Sequence, residues 1–259
     1  LLLMLYILWI PKIFITKTAK IRFTKLDLCF MGLFGMSFLS MYNASDIKFC
    51  MYEIFRLIII YLAFFYMENA ITTKRDLKFT IVPILIGLFL ESLLGIFQYY
   101  SGQGFGLGLI GERQEMMYFR GISRVGGTFG HPNNFAIYLC LFLPLVVSLF
   151  FAPLKKVYKV ICGLIFLISV STLIMTLSRA GWISFIVSMV IFFVLSLKAR
   201  LISLRRAMFV VVICIIFLTI IIFAFQELFF TRIFSDDYGA AYSRIPLMKV
   251  AMNMILYYT

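Results

Sequence analysis

The feature that most constrains this chain is a succession of long apolar runs bounded by charged residues. As a helix, about 20 apolar residues span the hydrocarbon core of a bilayer. A helix also satisfies its own backbone polar groups, which lipid cannot do. The runs predict eight transmembrane helices, at residues 1–11, 27–44, 50–68, 79–100, 132–152, 157–177, 181–197 and 207–226.

Composition excludes a water-soluble domain. Of the 259 residues, 63% are hydrophobic and only 14% are charged, whereas soluble domains have about half apolar and about a quarter charged residues. The five cysteines lie in apolar runs without a CxxC pair, so we interpret them as buried thiols rather than bridges or metal ligands. We therefore predict an all-α fold, a polytopic transmembrane helical bundle.

The bundle is predicted to occupy residues 1–226, and residues 227–259 are predicted to begin a large external loop. The sequence starts without Met, and its last residues follow a helix-like pattern. We therefore expect it to be part of a longer protein, incomplete at both ends.

The distribution of basic residues predicts the orientation, because short cytoplasmic loops have an excess of Lys and Arg. Fifteen of the 24 basic residues lie in alternate loops, at Lys12, Lys17, Lys20, Arg22, Lys25, Lys74, Arg75, Lys78, Lys155, Lys156, Lys159, Lys198, Arg200, Arg205 and Arg206. These loops are predicted to be cytoplasmic, which places the 101–131 loop and residues 227–259 outside. Orientation then explains most of the +13 net charge, and we predict no nucleic-acid partner.

Against this trend, four of the arginines on the predicted external side lie in loops with few compensating roles: Arg120, Arg124, Arg179 and Arg244. A guanidinium fork binds two oxygens of a phosphate or carboxylate at once. The cluster therefore predicts an anion-binding site at the outer face.

The external loop 101–131 is rich in glycine. Gly106, Gly108 and Gly111 have the spacing of a dinucleotide-binding fingerprint, but no βαβ pattern surrounds them, so we reject that interpretation. The glycines allow either an irregular loop close to the membrane or a close approach to a ligand.

The loop ends at the start of the fifth span. Pro132 is suited to the first helical turn, and the flanking His131, Asn133 and Asn134 are suited to capping it. A helix N-terminus also attracts phosphate, and His131 is the only histidine in the sequence. Capping and substrate binding therefore both remain open for His131 and Asn133.

Two polar stripes cross apolar spans. In the fourth span Gly87, Glu91, Gly95 and Gln98 share a face, and an intramembrane carboxylate is either functional or hydrogen-bonded to a neighbouring helix. In the sixth span the 3, 4, 3 spacing of Ser169, Thr172, Thr176 and Arg179 predicts one face that leads out to the arginine. Such stripes join helices or line a cavity.

Three segments together resemble the O-antigen ligase and O-antigen polymerase family of bacterial membrane glycosyltransferases. They are Arg124–Ala136, Thr176–Trp182 and Ser243–Ala251, and the span containing Glu91–Gln98 is also similar. Their order, spacing and common predicted side extend the resemblance over about residues 79–256.

The resemblance implies transfer of a glycan from a polyprenyl-pyrophosphate donor to an acceptor hydroxyl, at the outer face of the bacterial cytoplasmic membrane. It implies no metal and no cofactor; the expected partners are the lipid-linked glycan and membrane lipid. Arg179 and Arg244 match the arginines on which the family's ligases rely, so they are the predicted catalytic residues. The family's catalytic histidine lies later in the large loop, and we expect its counterpart after Thr259.

The substrate-binding candidates are Arg124, His131, Asn133, Glu91 and Gln98. Two other classes of protein remain open: a membrane transporter of a small anionic solute, and an assembly or scaffold subunit. A transporter should place its polar residues near the bilayer midplane, whereas the arginines here are grouped at one predicted face.

Overall fold

The computed structural model describes residues 21–44, 46–113, 115–119, 121–203 and 244–258. It also describes eleven single residues: Met4, Tyr6, Ile7, Trp9, Pro11, Arg205, Met208, Val212, Thr219, Phe223 and Gln226. Apart from these single residues, the predicted first and eighth spans lie outside the described residues, as does most of the predicted external loop 227–259.

The described part of the chain is mostly helical. Its α-helices are α1 (Lys25–Ser40), α2 (Ile47–Ala70), α3 (Lys74–Ser101), α4 (Pro132–Phe151), α5 (Lys156–Met175), α6 (Arg179–Lys198) and α7 (Arg244–Tyr258). Three short 3₁₀ helices are at Met41–Asn43, Gly108–Ile110 and Gly127–Phe129. The two strands, β1 (Met117–Phe119) and β2 (Ile122–Arg124), form an antiparallel hairpin.

Among the described residues, the five helices α2 to α6 are long and apolar enough to cross a membrane. They coincide with the third to seventh predicted spans, so the helical membrane architecture is confirmed. The second predicted span is represented by α1, which has 16 residues and is shorter than these five. The prediction of about eight spans is not confirmed.

The helices begin at side chains that accept hydrogen bonds from the first turn. Asp46 caps α2 by accepting from the Lys48 N–H at 2.9 Å, and Ser178 caps α6 by accepting from the Gly181 N–H at 3.2 Å. The α3 helix starts five residues before its predicted span, because Thr73 and Asp76 exchange hydrogen bonds at its first turn. Charged residues at a helix end therefore extend the helix beyond its apolar run.

The chain divides into two compact units, Leu1–Pro83 and Ile84–Thr259. In the first unit, α1 packs against α2 and Phe30 contacts Tyr61 and Phe64. Most large apolar side chains of α1 and α2 are exposed, as expected for helices that face lipid.

The second unit contains the main core, where α4 packs against both α5 and α6. Its centre is formed by fully buried side chains, including Phe135, Leu139, Leu143, Val146 and Val170. The part of α3 from residue 84 onward also belongs to this unit. The chain between the end of α3 and the start of α4 forms the loop described in the next section. The β1–β2 hairpin lies in this loop, which was predicted without strands.

Candidate functional site

One end of the second unit is covered by the chain between α3 and α4, residues 102–131, which we call the covering loop. It contacts the ends of three helices: the Ser123 hydroxyl donates to the Tyr99 carbonyl at the end of α3, and the Val125 N–H donates to the Met175 carbonyl at the end of α5. Its 3₁₀ helix Gly127–Phe129 packs against α4. The turn between α5 and α6 therefore lies beneath this loop.

Gln98 attaches the covering loop to α3. This side chain is 1% exposed; its Oε1 accepts from the Gly127 N–H at 2.9 Å, and its Nε2 donates to Oε1 of Glu112 at 2.7 Å. A buried side-chain amide needs a donor for its oxygen and an acceptor for its NH₂ group, and Gly127 and Glu112 supply them. Gln98 was predicted to bind substrate. In the structure its side chain contacts the protein itself.

Glu112 is the acceptor that organises the first half of the covering loop. Its carboxylate is buried and accepts from the backbone N–H of Phe105 at 2.8 Å and of Leu107 at 2.7 Å, in addition to Gln98. Burial raises the pKa of Glu112, but the hydrogen bonds from Phe105, Gln98 and Leu107 outweigh it, and the net pKa lies below its ordinary value.

Glu91 holds the second half of the covering loop. Both its oxygens accept from Thr128, one from the hydroxyl and the other from the backbone N–H at 3.1 Å. The adjoining Gly127 has φ of +54°, and a Cβ there would lie 2.6 Å from Oε2 of Glu91. Glu91 was predicted to bind substrate, with a hydrogen bond to a neighbouring helix as the alternative; its described partner is Thr128 of the loop.

Arg124 connects the covering loop to two helix ends. Its Nε donates to the Thr176 carbonyl at 3.1 Å, and its Nη2 donates to Oδ1 of Asn133 at 3.2 Å. Burial lowers the pKa of this half-buried guanidinium, yet all its described acceptors are neutral. Arg124 therefore places an uncompensated positive charge beside the turn that precedes Arg179.

His131 is the N-cap of α4, as the capping prediction proposed, and Pro132 is the first helical residue. Nδ1 of His131 accepts from the Asn133 N–H at 3.1 Å. Burial, followed by the charges of Arg124 and Arg113, lowers the pKa of His131. A neutral imidazole is required here, because a protonated Nδ1 cannot accept a hydrogen bond.

The polar stripe of the sixth predicted span serves helix packing. The Ser169 hydroxyl lies 2.8 Å from that of Ser92, and the Thr172 hydroxyl donates to the Ser92 carbonyl at 2.9 Å. These hydrogen bonds join α5 to α3.

The prediction that this stripe continues to Arg179 on one helix is wrong. The α5 helix ends at Met175, Leu177 has φ of +51°, and Arg179 is the first residue of α6. The Thr176 hydroxyl turns back to the Leu173 carbonyl and the Ser178 hydroxyl caps the next helix, which is how short polar side chains end a helix.

The structure brings together five of the seven predicted site residues: Glu91, Gln98, Arg124, His131 and Asn133. Arg179 is half-buried at the adjoining turn. Arg244 is the first residue of α7, and its side chain, like the whole of Arg120, lies outside the description.

Beside this network is a small cleft with a free volume of about 10 Å³, which is room for about one water molecule. Its lining includes Arg113, Glu115, Arg124, Gly127 and Gly130. Among the described residues, no three His, Cys, Asp or Glu side chains form a group that could hold a metal ion.

Sequence reasoning missed Glu112, Arg113 and Thr128. Glu112 had one recognisable signal: it is a single carboxylate within a glycine-rich segment whose many backbone N–H groups need acceptors. Thr128 had none, since it becomes a partner of Glu91 only through a chain reversal 37 residues later.

The fold and this polar end define a multi-pass membrane protein with a structured loop over one end of its helices. In a comparison with known proteins, the model of the O-antigen ligase family matches residues 164–259, which include most of α5 and all of α6 and α7. The match confirms the resemblance predicted from the sequence and indicates a role in surface polysaccharide assembly. No curated protein and no solved structure gives a significant match.

Proposed function

We propose that the protein transfers a glycan from a polyprenyl-pyrophosphate donor to an acceptor hydroxyl, as a polymerase or ligase of lipid-linked surface polysaccharide. The reaction breaks the bond between the sugar C1 and a pyrophosphate oxygen and forms a bond from C1 to the acceptor oxygen. The polyprenyl pyrophosphate leaves with the electron pair, and the acceptor hydroxyl loses its proton. The family match over residues 164–259 supports this activity and includes both Arg179 and Arg244.

The observation that supports the proposal best is the position of Arg124. Its guanidinium joins Asn133 at the start of α4 to Thr176 in the turn before Arg179. Two segments that resemble the family, Arg124–Ala136 and Thr176–Trp182, are therefore in direct contact, although they are about 50 residues apart in sequence. A shared site is the simplest reason for one surface to contain both.

Arginines at this end suit a pyrophosphate leaving group. Charge grows on its oxygens as the C1–O bond breaks, and a planar guanidinium stabilises two oxygens at once. In the proposal Arg179 and Arg244 bind these oxygens, while Arg124 fixes the turn from which Arg179 projects. No metal or other cofactor is assigned a step.

The proposed site faces outward from the bacterial cytoplasmic membrane. Single-cysteine variants at Lys156, at the start of α5, and at Glu115, in the covering loop, test this orientation, since both positions are exposed. In intact cells an impermeant thiol reagent should modify position 115 and not position 156. Modification of position 156 alone would reverse the orientation.

The test of the chemistry is Arg179→Lys and Arg244→Lys in the full-length protein. Lysine keeps the charge but loses the fork, and losing a donor aimed at developing charge costs roughly a hundredfold to a thousandfold in rate. Each variant should lose most polymer formation while expression and topology persist.

Two control substitutions accompany this test. Arg120→Lys lies in the glycine-rich loop 101–131, and Arg200→Lys lies just after α6. Both should have mild effects on polymer formation. Near-normal polymer from both Arg179→Lys and Arg244→Lys would contradict the assignment of these arginines to the pyrophosphate, because lysine replaces an arginine that only anchors a helix end in phospholipid. The proposed glycan transfer would then rest on the family match alone.

A further inference from the structure

The first part of the covering loop, with the last residue of α3, differs in composition from the part that follows it. Residues 101–111 include no charged residue, whereas residues 112–124 include five. The uncharged stretch exposes large apolar side chains: Leu109 is fully exposed, and Phe105 and Ile110 are more than half exposed. We call residues 105–111 the apolar tip. An exposed apolar cluster of this kind marks an interaction surface.

The apolar tip lies beside an exposed face of α3. On this face Ile86, Leu90 and Phe97 are exposed at helical spacing, as expected for a surface toward lipid. Phe105 packs on the same face, with its ring centroid 6.3 Å from that of Phe97. Phe97 precedes the last residue of α3 by four positions, which is about 6 Å along the helix. The tip therefore turns back along the outside of α3 instead of extending away from it.

The backbone of the apolar tip finds hydrogen-bond partners within the loop. The N–H groups of Phe105 and Leu107 donate to the Glu112 carboxylate at 2.8 and 2.7 Å, and those of residues 110–112 donate to the carbonyls of Leu107 and Gly108. Lipid offers no partners to backbone groups, so a loop enters it only when the protein supplies them. Glu112 thus provides from inside the loop an acceptor that water provides for other exposed loops.

The apolar tip is fixed at its base and free at its apex. At the base, Gly111 has φ of +104°, and a Cβ there would lie 2.5 Å from the Thr128 carbonyl oxygen. Near the apex, a Cβ added to Gly106 or Gly108 would meet nothing within 4 Å. The protein therefore holds the tip in place while leaving its apolar side chains available to another phase.

We propose that the apolar tip inserts its side chains into the bilayer interface beside α3 and anchors the covering loop to the membrane. Phospholipid is the partner, because the tip continues the lipid-facing surface of α3 and has no charge to keep in water. Tyr100 is exposed in the last turn of α3, and tyrosine is enriched at the level where a membrane meets water. The charged residues 112–124 remain in water. This anchor does not depend on glycan transfer.

The test uses the full-length protein in phosphatidylcholine nanodiscs and a tryptophan reporter. Leu109→Trp places an indole at the apex, where the exposed leucine leaves room for it. Its fluorescence, taken as the difference from the wild type, should be quenched by phosphatidylcholine brominated on its acyl chains and protected from aqueous iodide. Glu115→Trp is the matched control, because it places the same indole at an exposed position of the charged stretch. That reporter should be quenched by iodide and not by the brominated lipid.

A second variant and the remaining outcomes decide what covers the tip. Adding Ile110→Asp to Leu109→Trp places a carboxylate beside the reporter, and a carboxylate is costly in hydrocarbon. The indole should then lose its quenching by lipid and become accessible to iodide. Iodide quenching of Leu109→Trp equal to that of Glu115→Trp would overturn the proposal. Protection of Leu109→Trp from both quenchers would also overturn it, because a second copy of the chain or another protein would then cover the tip.

Hydrogen exchange in the same nanodiscs measures the strength of the anchor. Leu109→Ala should accelerate exchange of residues 105–111 about tenfold, because most of a leucine side chain is then lost from lipid. An unchanged rate would contradict the proposal, since an exposed leucine in water contributes nothing to the tip. Arg179→Lys should leave the quenching and the exchange unchanged whether or not it loses polymer formation. Failure of the anchor and failure of the proposed function are therefore separate results.

Discussion

The second unit contains two short turns between consecutive helices, and they differ sharply in their surroundings. The turn between α4 and α5, residues 152–155, exposes Pro153 and Lys155. In the turn between α5 and α6, residues 176–178, Thr176, Leu177 and Ser178 are 0%, 1% and 3% exposed. The turns have similar lengths, so the difference comes from the covering loop.

A covered turn must find protein partners for backbone groups that an exposed turn leaves to water. Arg124 supplies one by donating to the Thr176 carbonyl, and the Met175 carbonyl accepts from Val125. Leu177 adopts a φ of +51°, which is uncommon outside glycine and asparagine and concentrates at functional sites. The comparison teaches that, where a loop replaces water over a turn, side chains and backbone of the loop take over the turn's hydrogen bonds.

For these two turns, the largest expected effect comes from removing the contact between the covering loop and the covered turn. Arg124→Met keeps the aliphatic stem but leaves the Thr176 carbonyl without its donor, and a misplacement of about 1 Å in a site costs about a hundredfold in rate. Polymer formation should fall by about that factor.

Lys156→Met, at the exposed turn, is the matched control and should retain nearly full activity. Equal activities for the two variants would show that the covered turn has no catalytic importance.

Glu112→Ala should open the first half of the covering loop. Its loss leaves the Phe105 and Leu107 N–H groups and the Gln98 amide without an acceptor, at about 1–3 kcal/mol for a buried unsatisfied group. Hydrogen exchange of the 104–112 segment should accelerate by about a hundredfold. Glu115→Ala, at an exposed carboxylate in the same loop, should change the exchange rate of this segment by less than about twofold. A similar acceleration in Glu112→Ala and Glu115→Ala would disprove the role of Glu112.

Gly181→Ala tests how closely α6 approaches α4 beside the covered turn. An added Cβ would lie 2.6 Å from Cβ of Ala136, and overpacking of this kind costs about 1–3 kcal/mol. Gly163→Ala, within α5, meets its nearest atom, Cζ of Phe150, at 3.5 Å. Thermal unfolding in detergent should therefore occur at a lower temperature in Gly181→Ala and be unchanged or higher in Gly163→Ala; the reverse order would contradict the packing described.

The smallest expected effect is a pH dependence at the α4 cap. Burial and the charges of Arg124 and Arg113 lower the pKa of His131 in the folded state, below its usual value of about 6.5. The unfolded state therefore binds the proton more readily. Stability is fully present above about pH 6.5 and is lost as the pH falls through the lower pKa of the folded state.

This dependence is measured as the midpoint of thermal unfolding between about pH 7.5 and pH 5. His131→Asn keeps a good N-cap residue and should flatten that pH dependence, whereas His131→Ala should also lose about 1 kcal/mol at neutral pH. An unchanged pH dependence in His131→Asn would show that another group titrates.

The helices could be predicted from the sequence because their cause is local. Apolar runs of sufficient length form helices in lipid, and Pro132 with His131 marked the start of α4 to the residue. The sixth span shows where such reasoning fails. A periodic spacing of Ser169, Thr172, Thr176 and Arg179 looks continuous, but the chain leaves the helix at Thr176, because local hydrogen bonds of Thr176 and Ser178 compete with another helical turn.

Part of the candidate site could also be predicted. Glu91, Gln98, Arg124, His131 and Asn133 were selected as individual residues, and they lie together in one network. Their partners were not predictable, since Glu91 and Gln98 bind a loop rather than a helix, and Arg113 had no periodicity or motif to distinguish it. A loop leaves no regular spacing in the sequence from which its path can be inferred.

The sequence by itself determined that this is a helical membrane protein, where its main helices lie and which family it resembles, since these depend on runs and motifs of neighbouring residues. Only the tertiary structure decided that Arg124 contacts Thr176, 52 residues away, and that Glu112 and Gln98 hold the covering loop in place. The physical reason is that a buried hydrogen-bonding group takes whichever partner the folded chain brings within about 3 Å, and that partner depends on how the whole unit packs.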